Sequence, residues 1–119
     1  MKTTRIAVFY CKKIKDTSCI GCTLCLKAIA EKTGEYRRYD GIDLAALTHC
    51  GDCPGLLLPR VGMIATMTDA IGRKLDAIHL GTCMRMAMES GACPLDFDKL
   101  RTEIERAYQV DVILGTHAY

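Results

Sequence analysis

Eight cysteines in a chain of 119 residues are placed as ligands are placed. Cys19, Cys22 and Cys25 form C-x2-C-x2-C in "CIGCTLC", and Cys50 and Cys53 form a further C-x2-C in "THCGDCPG". Two thiolates at this spacing can reach one metal from a single turn of chain. Thiolate and imidazole are the ligands of zinc, copper and iron–sulfur sites. The first triplet opens like a bacterial ferredoxin run, although no C-x3-C-P closes it locally. The Cys50/Cys53 pair permits another chemistry: a thiol–disulfide oxidoreductase, with Cys50 as the low-pKa nucleophile and Cys53 resolving it. That alternative leaves Cys11, Cys19, Cys22, Cys25, Cys83 and Cys93 without a role, so metal binding is the leading expectation.

The remaining composition narrows the class. Half of the residues are hydrophobic, so a packed core is expected, and a net charge of +2 is too small to indicate nucleic acid or an anionic membrane as partner. "CKKIK" and "YRRY" read as solvated edges rather than a basic stripe. No run approaches the roughly twenty apolar residues that span a bilayer. The apolar stretch of "MKTTRIAVFYCKK" is too short for a signal peptide. A cytoplasmic protein is therefore expected, in a compartment where thiols stay reduced and metal or redox chemistry outranks disulfides.

Positioning the cysteines falls to four expected strands. "RIAVFYC", a stretch near Asp43–Thr48, "DAIHLGTC" and "VDVILGTH" are short apolar runs rich in β-branched residues. Between them, Leu24, Ala28 and Ile29 mark a first helix that Gly34 would end. Val61, Ile64, Ile71 and Leu75, with Met63 and Met67 alongside, mark a second helix over Arg60–Leu75. Phe97, Leu100, Ile104 and Tyr108 mark the last, with Asp96 at its start. Met84, Met86 and Met88 suit gap-filling better than copper(I). Alternation of strands and helices predicts one small α/β domain over residues 1–119. Its expected form is a four-stranded parallel sheet with helices on both faces, of Rossmann or flavodoxin type in three layers. No GxGxxG follows the first strand, so a dinucleotide is not indicated.

In such a sheet all strands end at one edge, where ligands bind. Cys11 ends the first strand, Cys19, Cys22 and Cys25 follow it, and Cys50 and Cys53 follow the second. Cys83 follows the third, Cys93 lies in the connection to the last helix, and His117 follows the fourth. The cysteines thus map to one rim. His79, inside an apolar strand, is as readily a core histidine as a ligand.

Five ordered stretches, "CTLCLKA", "THCGDCPG", "DAIHLGTC", "GACP" and "GTH", resemble the CGGC-domain proteins in order and spacing over nearly the whole chain. The resemblance implies a cysteine-rich metal-binding protein, with zinc the expected metal and its biochemical role largely undefined. It implies that Cys19, Cys25, Cys50, Cys53, Cys83, Cys93, His79 and His117 match family positions, with Cys11 among them and Cys22 an extra. Asp52 departs from the Cys-Gly-Gly-Cys name motif, and Leu26 stands where the family is more often aromatic. The expectation is a site of these cysteines and histidines holding zinc, or alternatively an iron–sulfur cluster, in a protein that meets a redox or metalloprotein partner.

Overall fold

A computed structural model of the protein describes residues 2–11, 20–50, 57–91, 93 and 95–116. Cys19, Cys53 and His117 lie outside the described residues. Four strands, β1 (Thr3–Tyr10), β2 (Gly41–His49), β3 (Ala77–Leu80) and β4 (Asp111–Leu114), form a sheet in the order β2-β1-β3-β4. Every neighbouring pair is parallel, as the alternating pattern predicts. Ile6, Ala7, Val8 and Phe9 of the central β1 are all fully buried, because a strand covered on both faces cannot alternate with water. A bulge between Ile6 and Ala7 in the β1–β2 register leaves Ala45 as an extra residue, so Leu44 pairs Ile6 and Ala46 pairs Ala7.

Layers lie on both faces. One is built by α2 (Leu57–Ala70), α3 (Thr82–Glu89) and α4 (Phe97–Tyr108), whose Leu57, Val61, Met84, Ala87 and Ile104 pack on Ala7, Phe9, Ile78, Leu80 and Val112. The other is built by α1 (Thr23–Glu31) and a 3-10 turn at Gly34–Arg38, whose Ala28 and Tyr36 pack on Ile6, Val8 and Ala77. The three-layer α/β expectation holds. The strand order reverses between β1 and β3, and the crevice beyond the carboxyl ends of those two strands is where such sheets bind ligands.

Several local expectations differ from the structure. The buried face of α1 is Cys25 and Ala28, while Leu24 and Leu26 are exposed. The helix stops at Lys32, which takes the left-handed conformation with its N–H on the Ala28 and Ile29 carbonyls; Gly34 opens the next turn instead. The second helix ends at Ala70, before Ile71, which is exposed, and Leu75, which is buried beyond the helix. Between Cys83 and Cys93, where the sequence suggests only a connection, stands α3. It is short, and Met84, Met86 and Met88 alternate with a period of two that hides the helical spacing of its inward residues Met84, Ala87 and Met88. The last helix is as expected: Asp96 caps it through its side chain, which accepts the Lys99 N–H at 3.3 Å.

Candidate metal centre

Three cysteines lie along the carboxyl edge because their strands are neighbours. Cys11 directly follows β1, and Cys50 directly follows β2 with its N–H on the Tyr10 carbonyl at 3.1 Å. Cys83 lies in the first turn of α3, immediately after β3. All three are buried in the core cluster on the α2/α4 face. The Cys11 N–H donates to Cys83 Sγ at 3.1 Å, and the Met84 N–H also bears on that sulfur. Gly81 makes this possible: a Cβ there would come within 3.1 Å of the Phe9 carbonyl oxygen and 3.2 Å of Cys83 Sγ.

The electrostatics of Cys83 oppose each other. Burial pushes its thiol up, the two backbone donors pull it down, and the sulfurs of Cys11 and Cys22 push it up further; the result is about 11. Burial wins. The thiol therefore keeps its proton near neutral pH unless a cation replaces it. Cys22 is buried at the start of α1 in the left-handed conformation (φ 58°), directly after Gly21 (φ 66°). A non-glycine residue there is uncommon. The cysteine that the resemblance marks as an extra thus lies in electrostatic reach of Cys83.

Cys25 belongs to a separate contact. Its Sγ is 3.1 Å from Thr116 Oγ1, beyond the end of β4. Cys93 is half-buried at the far end of α3 from Cys83, with its N–H on the Ala87 carbonyl at 3.0 Å. All the described cysteines are thiols rather than disulfides.

His79 is fully buried on the α1 face of the sheet. Its Nδ1 lies 3.0 Å from the Gly115 carbonyl, which can only accept, so Nδ1 carries the proton. Nε2 then accepts from the Tyr39 hydroxyl at 2.7 Å. The Tyr36 ring lies against the imidazole, centroids 4.7 Å apart. Burial outweighs the Gly115 bond and lowers its pKa to about 4, keeping the ring neutral. Both ring nitrogens are thus committed, and a metal could take Nε2 only by displacing Tyr39. Among the described residues, no three Cys, His, Asp or Glu side chains form a group that could hold an ion.

Thr82, Thr116, Gly81 and Tyr39 escape the sequence reading. A signal for three of them is present: Leu-Gly-Thr occurs at 80–82 and again at 114–116. His49, edge-on to the Tyr10 ring at the end of β2, is a rim histidine that the reading also passes over.

The profile of the CGGC domain matches residues 5–117, nearly the whole chain. The chain belongs to the CGGC-domain family. An uncharacterized protein of Methanocaldococcus jannaschii is 34% identical over 118 residues, covering 95% of this chain and 86% of that protein. No solved structure matches the chain. For this CGGC-domain protein the strand ends carry Cys11, Cys50 and Cys83 to one rim, with Cys22 reaching it from the start of α1. No helix among the described residues is long and apolar enough to cross a membrane.

Proposed function

We propose that the protein binds a soft metal through thiolates at the carboxyl edge of the sheet, zinc in the first instance and an iron–sulfur cluster as the alternative occupant. The observation that carries this reading is the Cys83 sulfur. It is buried and receives backbone N–H groups from Cys11 and Met84, at the point where the strand order reverses. Backbone donors to sulfur favour the thiolate, and hydrogen bonds of this kind tune metal–sulfur sites. Burial without a cation disfavours the thiolate, so the arrangement suits a sulfur whose proton is exchanged for a metal.

Cys11, Cys22, Cys50 and Cys83 are the proposed ligands among the described residues. Cys19 and Cys53, the C-x2-C partners of Cys22 and Cys50, and His117, which follows Thr116, are proposed to complete the set. Among the described residues no three such groups are spaced to hold an ion, so the proposed site forms as these sulfurs draw together on the metal with the remaining ligands. When bound, the metal supplies the positive charge that lets buried sulfurs lose their protons together. The alternative of a redox pair at Cys50 and Cys53 has less support, because an attacking thiol must be reachable and Cys50 is buried.

Protein purified without oxygen should carry zinc or iron at about one atom or more per chain. Acid-labile sulfide and a visible spectrum distinguish a cluster from zinc. Cys83→Ser should lower metal content, a neutral hydroxyl having replaced a soft thiolate. A folded wild-type protein that is metal-free and ignores added zinc and iron overturns the reading.

A further inference from the structure

β3 and β4 run out into the same Leu-Gly-Thr sequence at the same height. Leu80 pairs with Leu114 in the parallel register, so Gly81 faces Gly115 and Thr82 faces Thr116. The two threonines clasp reciprocally. The Thr82 N–H donates to Thr116 Oγ1 at 3.2 Å, and the Thr116 N–H donates to Thr82 Oγ1 at 3.0 Å. The Glu35 N–H donates to the Thr116 carbonyl at 3.0 Å, and both threonines are fully buried.

This clasp directs one proton. Thr116 Oγ1 already accepts from Thr82, so its own hydrogen must point to an acceptor. Cys25 Sγ is at 3.1 Å and Thr82 Oγ1 at 3.4 Å, so the sulfur is nearer. We infer that Thr116 is a positioning residue of the rim, its hydroxyl donating to the Cys25 sulfur and holding that sulfur as a hydrogen-bond acceptor. Cys25 lies outside the ligands named above; this bond adds it to them, and in the loaded protein its sulfur is then a thiolate oriented by Thr116, a step that rests on the metal reading above. A sulfur that has lost its proton can only accept, and Thr116 is the donor placed to serve it.

Two features support the assignment. The first is that Thr116 is held from three sides before it meets Cys25. His79 Nδ1–H fixes the preceding carbonyl, that of Gly115, while Gly115 itself takes a φ of +118° and donates to the Leu80 carbonyl at 2.6 Å. Such support is spent on a group whose direction matters. The second is Tyr36. Its hydroxyl is completely buried, has no hydrogen-bond partner among the described residues, and lies in electrostatic reach of Cys25. This buried phenol is a second polar group near the Cys25 sulfur.

The S–H stretching band of Cys25 in the metal-free protein, isolated by subtracting the spectrum of Cys25→Ala, tests the bond without any metal. The expected band is not lowered as that of a donating S–H is, whereas a lowered band that rises in Thr116→Val and returns in Thr116→Ser would show the thiol donating to Thr116 and overturn the inference. Should the valine variant fail to fold, the wild-type band alone decides, since a clearly lowered frequency there marks a donating S–H and overturns the inference. In cobalt(II)-substituted protein the sulfur-to-metal band should shift in Thr116→Val and recover in Thr116→Ser. An unchanged cobalt band in the valine variant removes Cys25 from the metal. Wild-type protein that takes up no cobalt sinks the metal reading while the infrared result still stands.

Discussion

The backbone N–H of Cys11 donates to the sulfur of Cys83 at 3.1 Å, joining residues 72 positions apart. The contact exists because β1 and β3 are parallel neighbours that end together, and because Gly81 has no Cβ to keep the Cys83 sulfur away. It puts a donor on a thiol that burial otherwise keeps protonated.

Metal uptake near neutral pH should therefore release protons. The Cys83 thiol is pushed up to about 11, so its proton is still bound when a metal arrives. Zinc titration by calorimetry in buffers of different ionisation enthalpy should give about one proton per sulfur engaged. Binding without proton release would show that the thiols are not the ligands.

Acid should weaken the fold through His79. Its pKa is 6.5 when unperturbed and about 4 in the fold, because burial resists the charge. Between those values the unfolded chain binds a proton that the folded chain refuses. The contribution is thus complete above about pH 6.5 and is lost as pH falls toward 4, up to about 3 kcal/mol. Asp43 adds a separate loss at lower pH: hydrogen bonds from Arg73 and Arg5 hold its carboxyl below the ordinary value of 3.8. Urea unfolding across this range should show both windows, and His79→Phe should erase only the upper one.

Gly115→Ala should cost more than Gly72→Ala. Both positions have positive φ, +118° and +77°, but a Cβ at Gly72 meets nothing within 4 Å. The Gly72 change then costs backbone strain of about 1 kcal/mol. At Gly115 the added atom comes to 3.4 Å from the Arg85 Nη1 and Glu35 Cγ atoms, and any relief shifts the carbonyl held by His79. A loss of about 2–3 kcal/mol is expected at that position. Thermal unfolding of the two variants makes the comparison, and equal losses would count against a rigid Gly115–Thr116 turn.

Tyr36→Phe should leave the metal-free protein as stable as wild type or stabilise it by about 1 kcal/mol. The substitution keeps the ring against His79 and removes a buried hydroxyl that has no partner among the described residues. Denaturant midpoints of the metal-free proteins test this. A clear loss of stability would mean that the hydroxyl is bonded in solution.

The parallel α/β architecture was legible in the sequence because strand ends, apolar runs and helix spacing are local signals. "RIAVFYC" and "VDVILGTH" announce buried strands, and Asp96 announces the start of α4. The placement of Cys11, Cys50 and Cys83 on one rim followed from topology, since parallel strands finish together. α3 was hidden because eight residues carry too few turns for a period to emerge from alternating methionines.

Other relationships belong to tertiary structure alone. That His79 spends one ring nitrogen on Gly115 and the other on Tyr39 depends on elements brought together from three parts of the chain. That Cys93 stands at the opposite end of α3 from Cys83 depends on a helix the sequence did not reveal. The repeated Leu-Gly-Thr was visible as letters, yet its meaning required register. Only when Leu80 and Leu114 lie side by side do Thr82 and Thr116 exchange hydrogen bonds and turn a hydroxyl toward Cys25. Residue types determine which groups can donate, accept or bind metal. Distances of about 3 Å between residues far apart in sequence decide which of them do, and these arise only from strand order and packing.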